Sequence, residues 1–214
     1  MRPEKRIDLS LYLVTDRGLA RNFSLEELVE RAVEGGVTVV QLREKECSSR
    51  EFYKLALRVK KIIPPDVPLI INDRLDIALA CGADGLHLGQ HDLPAAVARK
   101  HIGPEAIIGL SVENFDQLKQ SVNLPVDYLA ISPVFLTLTK TDTGAAWGVN
   151  GLKQARQFTD FPLVAIGGIN ESNAVSVIKA GADGIAVVSA ICAAPDPKEA
   201  SKKLRQLVEQ ARQK

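Results

Sequence analysis

The sequence predicts a (β/α)8 TIM barrel, an α/β fold in which eight parallel strands close on themselves inside a ring of helices. Three observations predict it. Eight short apolar runs alternate with amphipathic helical patterns along the chain. Most of those runs are aliphatic on both faces, as strands of a parallel sheet covered on two sides must be. The phrase Gly-Ala-Asp-Gly recurs at 82–85 and 181–184, each time where a helical pattern gives way to a strand, and glycine suits the left-handed turn such a junction needs. An open doubly wound sheet could be built from the same units, but no Gly-x-Gly-x-x-Gly follows the first run, where a dinucleotide-binding sheet would carry it. No linker or low-complexity stretch divides the 214 residues, so one catalytic barrel domain over 1–214 is expected.

The runs come in order as "LYLVTD" (11–16), "TVVQLRE" (38–44), "PLIIND" (68–73) and "GLHLG" (85–89). They continue as "IIGLSV" (107–112), "YLAISPVF" (128–135), "PLVAIGG" (162–168) and "GIAVVSAI" (184–191). Between the first two, Leu25, Leu28, Val29, Ala32 and Val33 fall on one helical face. Ser24 precedes Glu27 by three residues, the spacing of a capping box. Phe52, Leu55, Ala56, Val59 and Ile62 repeat the helical pattern, as do Ala200, Leu204, Leu207, Val208 and Ala211 near the end.

Composition narrows the function. With 46% hydrophobic and 25% charged residues the chain has an ordinary soluble make-up, and a net charge of +1 excludes bulk attraction to nucleic acid or an anionic membrane. Cys47, Cys81 and Cys192 form no Cys-x-x-Cys pair, so neither a disulfide framework nor a zinc site is expected. Free thiols suit a reducing compartment. The N-terminal "MRPEKRIDLS" lacks the apolar stretch of a signal peptide, and the longest apolar segment, 184–194, is too short to span a bilayer. A soluble, cytoplasmic protein is expected.

In a barrel of this kind the chemistry sits at the C-terminal ends of the strands. Gln41, Arg43 and Lys45 alternate with Val40, Leu42 and Glu44, so the three polar residues share a face. Two cations in a narrow cavity need acids beside them or an anionic ligand, and Arg beside Lys suits phosphate oxygens. The next two strand ends deliver Asn72, Asp73 and Asp92. The two acids are 19 positions apart, yet neighbouring strands can bring them together. Each alone also reads as a helix cap, Asp73 for a helix beginning near Leu75 and Asp92 for one near Pro94. Together beside the cations they suit one Mg²⁺, which takes one or two carboxylates plus phosphate oxygens. Ser111 ends the fifth run. A polar loop, "SPVFLTLTKTDTG" (132–144), follows the sixth and offers Thr137, Thr139 and Lys140 as a lid over an anionic substrate. Gly167, Gly168 and Ser189 close the last two runs, where many barrels bind a phosphate monoester. Two separate anion sites are therefore expected.

The motifs "QLREK" (41–45), "IND" (71–73), "GLHLGQHDLP" (85–94), "PVFLTLTK" (133–140) and "AIGGI" (165–169) make the chain resemble the thiamine phosphate synthase family. They cover nearly its whole length in family order. The resemblance implies a transferase that joins 4-amino-2-methyl-5-hydroxymethylpyrimidine diphosphate to a thiazole phosphate through a pyrimidine cation, releasing pyrophosphate. It implies contacts to the pyrimidine diphosphate from Gln41, Leu42, Arg43, Glu44, Lys45, Asn72, Ser111 and Lys140. Of these, Arg43, Lys45, Lys140 and Ser111 would act in catalysis. It further implies Mg²⁺ on Asp73 and Asp92, and thiazole phosphate on Thr137, Leu138, Thr139, Gly168, Val188 and Ser189. Its partners are then small molecules, neither nucleic acid nor membrane, with a homodimer left open. Where the family usually has Pro this chain has Leu136. The alternative function is that of a thiazole tautomerase-like or regulatory thiazole-phosphate-binding relative.

Overall fold

The structure, a computed structural model, describes residues 7–20, 22–137 and 145–213. Strands and helices alternate as β1 (Leu11–Val14), α1 (Leu25–Glu34), β2 (Val39–Leu42), α2 (Ser49–Ile62), β3 (Leu69–Asn72) and α3 (Leu75–Cys81). Next come β4 (Gly85–Leu88), α4 (Ala95–Ile102), β5 (Ile107–Val112), α5 (Phe115–Ser121) and β6 (Tyr128–Ile131). The chain finishes with α6 (Gly148–Phe158), β7 (Leu163–Ile166), α7 (Ala174–Lys179), β8 (Gly184–Val187), a short α8 (Ser189–Cys192) and α9 (Pro197–Arg212). Every strand pairs in parallel with the next, and β8 returns to β1 through Leu11 with Ile185, Tyr12 with Ala186 and Leu13 with Val187. The closed (β/α)8 barrel expected from the sequence is the observed fold.

Closure divides the apolar residues into two cores. The larger lies between sheet and helices and takes one face of each strand, Leu11, Leu13, Val40, Leu42, Leu69 and Ile71 among them, against Leu28, Phe52, Leu55 and Leu204 from the helices. The alternate positions Tyr12, Val14, Val39, Ile70, Tyr128, Val164 and Ala186 fill the barrel interior. Two capping boxes start the helices on this outer face: Ser24 with Glu27 at α1 and Ser48 with Glu51 at α2. Each satisfies N–H groups that the first helical turn leaves without a partner.

The repeated Gly-Ala-Asp-Gly has a structural role at the N-terminal rim. Asp84 Oδ2 accepts from the N–H of Leu69 at 2.9 Å, and Asp183 Oδ2 from that of Leu163 at 2.7 Å. Asp127 does the same for Ile108 at 2.7 Å. Each carboxylate thus fastens the start of one strand to the strand before it. Arg99, nearly buried, donates to Asp127 Oδ2 at 2.5 Å and to the carbonyls of Gly103, Ala106 and Pro125. Arg156 serves Asp183 and the carbonyls of Gly181 and Phe161 in the same way.

Every strand except β5 is shorter than its apolar run, β6 and β8 by the most. The run 128–135 ends as strand at Ile131, 162–168 at Ile166, and 184–191 at Val187. Residues 189–191 turn instead into α8, because a short apolar run carries no period that separates strand from buried helix. Among the described residues no helix is long and apolar enough to cross a membrane.

Asp127→Ala removes the partner of a nearly buried guanidinium and frees a strand N–H. It should lower unfolding stability by about 3 kcal/mol in urea titrations; a loss under about 1 kcal/mol would mean the clasp does little.

Candidate active site

The C-terminal mouth of the barrel opens into a cavity of about 300 Å³. Gln41, Arg43, Lys45, Asn72, Asp73, Asp92 and Ser111 line one side, and Thr137, Gly168, Val188 and Ser189 line the other. All are residues the sequence singles out. The side chains of Leu42 and Glu44 do not join them. Leu42 points outward into the helix-covered core and is fully buried there. Glu44 turns to Arg17, 3.2 Å away. Alternation of side chains along the strand sends both away from the ligand side, so neither side chain lines the cavity. Leu138, Thr139 and Lys140 lie outside the described residues. Leu136, at the foot of that segment, is 83% exposed.

The two acids do meet. Asp73 sits just past β3 in a left-handed conformation, φ 61°, which Asp tolerates better than most residues. Its N–H is held by the His87 carbonyl of β4 at 2.9 Å, so β3 and β4 remain laced together where the carboxylate emerges. Asp92 Oδ2 accepts from the N–H of Gly89 at 2.7 Å, folding the β4–α4 loop back on itself. Burial, then a side-chain hydrogen bond with Asp73, raises the Asp92 carboxyl above its usual range, partly opposed by Lys45. Neither acid is a cap: α3 and α4 begin at Arg74 and Pro94 without a side-chain cap bond.

Two adjacent carboxylates at the mouth of a cavity are suited to a cation. Among the described residues no group of three or more His, Cys, Asp or Glu could hold a metal alone. The donor set therefore fits a hard ion such as Mg²⁺ whose remaining positions are filled by ligand phosphate and water. Lys45 Nζ lies 2.5 Å from Asp73 Oδ2, so one cation of the pair is balanced by an acid. Arg43 has no ion pair among the described residues, and its backbone N–H is held by Thr15 Oγ1 at 3.1 Å. Its guanidinium lines the cavity and is available to an anion.

On the opposite side, Gly167 and Gly168 carry φ of 102° and 63°. The segment after β6 pairs over them, with the N–H of Val134 on Ile166 O at 2.8 Å and that of Phe135 on Gly167 O at 3.0 Å. A Cβ on Gly168 would stand 2.8 Å from both Phe135 Cβ and Leu136 O. Glycine is required here by conformation and by space.

The sequence left three interior residues unremarked. Tyr12, His87 and Tyr128 point into the barrel below the cavity, joined to Gln41 and Ser111 by hydrogen bonds. The signal was present at His87, a polar residue on the inward face of an aliphatic strand. None of the three cysteines is among the residues lining the cavity, and burial pushes the Cys192 thiol up to about 12. Burial, and then Glu44, raises that of Cys47.

Fold and cavity together define a barrel enzyme that acts on small molecules at the C-terminal ends of its strands. Residues 11–191 match the family model described as thiamine monophosphate synthase. The thiamine-phosphate synthase of Albidiferax ferrireducens is 55% identical over 202 residues, covering 94% of this chain and 92% of that protein. That of Leptospira biflexa is 56% identical over 200 residues, covering 91% and 95%. The solved structure of a thiamine phosphate pyrophosphorylase from Pyrococcus furiosus superposes with a TM-score of 0.88 at 39% identity, over 96% of this chain and 98% of that one. The chain belongs to the thiamine monophosphate synthase family, and it is an enzyme of that transferase class.

Gly168→Ala should distort the β6 and β7 loops and lower stability by about 1–2 kcal/mol, read as a lower urea midpoint. Wild-type stability would show that the loops accommodate the methyl group.

Proposed function

We propose that the enzyme joins the diphosphate ester of 4-amino-2-methyl-5-hydroxymethylpyrimidine to a methylthiazole ethyl phosphate, carboxylated or not, giving thiamine phosphate and pyrophosphate. The observation that carries this reading is the division of one cavity. Arg43, Lys45, Asn72, Asp73 and Asp92 stand on one side, and Gly168, Val188 and Ser189 on the other. Two anionic substrates can lie there with their reacting atoms between them.

In this reading the bond from the pyrimidine methylene to the diphosphate oxygen breaks first, and both bonding electrons leave with pyrophosphate. The electron-rich aminopyrimidine carries the resulting positive charge until the thiazole nitrogen supplies its lone pair to the methylene carbon. No protein nucleophile is needed, in keeping with thiols that are held protonated. Arg43, Lys45 and Lys140 neutralise the charge that grows on the departing diphosphate. Asn72 and Gln41 fix the diphosphate and the ring. Mg²⁺ held by Asp73 and Asp92 would neutralise the leaving group further. Gly168, Val188 and Ser189, with Thr137, Leu138 and Thr139, hold the thiazole phosphate through backbone and hydroxyl donors. The apolar interior below, lined by Val14, Ala130 and Val164, keeps water from the cationic carbon.

The reading is tested by incubating the protein with both substrates and Mg²⁺ and measuring thiamine phosphate as fluorescent thiochrome. Product that depends on Mg²⁺ is expected, and its absence would sink the assignment. Asp92→Ala should retain its fold by circular dichroism while losing about a hundredfold or more in kcat. Full activity in that variant would remove the metal from the mechanism.

A further inference from the structure

The barrel interior beneath the cavity holds an unbroken hydrogen-bonded chain. Gln41 Nε2 donates to the Tyr12 hydroxyl at 2.7 Å, and the Tyr12 and Tyr128 hydroxyls are 2.7 Å apart. Tyr128 Oη lies 2.9 Å from His87 Nδ1, and His87 Nε2 lies 2.9 Å from Ser111 Oγ. The five groups come from β2, β1, β6, β4 and β5, so the chain crosses the barrel. The tyrosine and histidine links are built tightly. The His87 and Tyr128 rings stack at 5.6 Å, and a Cβ at Gly109 would overlap the Tyr128 ring and stand 2.6 Å from His87 Nδ1. Glycine is needed at that position to make room for the pair.

Counting protons gives the chain a direction. Both phenols are fully buried and, by that burial, held well above their ordinary titration range, so each carries one proton and can donate once. Gln41 donates to Tyr12, which must then donate to Tyr128. Tyr128 donates in turn to His87 Nδ1. The imidazole is left with its proton on Nε2, which it donates to Ser111 Oγ. A doubly protonated ring does not fit. It would donate to Tyr128 and turn that proton back on Tyr12, which would accept from both sides with its own hydrogen unplaced. Of the hydroxyl and imidazole protons, that of Ser111 is the one the chain does not use, and Ser111 and Gln41 both border the cavity.

We propose that Tyr12, Tyr128 and His87 are positioning residues that lock the two ends of this chain in opposite polarity. Ser111 donates into the cavity, and the Gln41 amide oxygen accepts. Such a floor recognises a ring edge that offers an acceptor beside a donor, as the ring nitrogen and amino group of an aminopyrimidine do. This substrate assignment rests on the reaction proposed above; the polarity of the chain does not.

Histidine-selective ¹⁵N labelling with long-range ¹H–¹⁵N spectra of the ligand-free protein tests the polarity without any turnover. Of the three histidines, His91 and His101 are exposed, so the buried ring of His87 is distinguished from them. The expected result is a single neutral His87 tautomer protonated on Nε2. A proton on Nδ1 would overturn the assigned direction. Gln41→Glu, recorded at pH 9 so that the introduced carboxylate can only accept, should reverse the chain and move the His87 proton to Nδ1. An unchanged Nε2 signal would overturn the claim that Gln41 sets the direction. If the synthase reaction holds, Tyr128→Phe and Ser111→Ala should each lower kcat/KM for the pyrimidine diphosphate by about tenfold, with thermal unfolding confirming that both variants fold. The double variant should be no worse than Ser111→Ala alone. A multiplicative loss of about a hundredfold would show the two residues acting independently. If the wild-type protein gives no product, the reaction fails, and the tautomer spectra still decide the polarity.

Discussion

Pairing of β8 with β1 is the constraint on which the rest of the molecule depends. A closed parallel sheet has no edge strand, and its strands present one face to the helices and the other to an enclosed interior. Closure makes neighbours of residues that are distant in sequence. It brings the end of β2 beside that of β3, the end of β3 beside that of β4, and the ends of β7 and β8 across from them. At the N-terminal rim Asp84, Asp127 and Asp183 fasten successive strands through backbone N–H groups. Stability is concentrated at one end of the barrel and chemistry at the other.

Electrostatics at the mouth follow from the same arrangement. Burial and then the neighbouring Asp73 oppose ionisation of Asp92, while Lys45 pairs with Asp73 and Arg43 stands without an acid partner among the described residues. A pair of this kind is incomplete without a cation, and the unpaired guanidinium is incomplete without an anion. A metal-bound diphosphate answers both needs at once, whereas an isomerase acting on an uncharged ring would need neither. Beneath this charged rim the interior is largely apolar and is crossed by the chain from Gln41 to Ser111. The cavity thus has a charged rim for phosphates and a floor whose few polar groups can read a ring.

Much of this was legible in the sequence, and the failures have physical causes. Alternation in "VVQLREK" placed Gln41, Arg43 and Lys45 on the ligand side. The same alternation turns the side chains of Leu42 and Glu44 away from it, although both belong to the contiguous motif. The convergence of Asp73 and Asp92 required the barrel as an intermediate step, since in isolation each reads as a helix cap. Ala190 and Ile191 read as the end of a strand because so short an apolar run has no detectable period, and the structure places them in α8. Tyr12, His87 and Tyr128 went unremarked for a different reason. Their significance lies in contacts between five strands, and a strand-by-strand pattern contains no trace of the hydrogen bonds that join them.

In the proposed reaction two anions occupy opposite sides of one cavity, with the metal on only one of them. A crystal structure of the protein with Mg²⁺, pyrophosphate and thiamine phosphate tests it most directly. The account predicts pyrophosphate and Mg²⁺ against Arg43, Asp73 and Asp92, with the product's phosphate against Gly168 and Ser189. Both phosphate groups on the side of β2 to β4, or a metal bound away from the two aspartates, would contradict it.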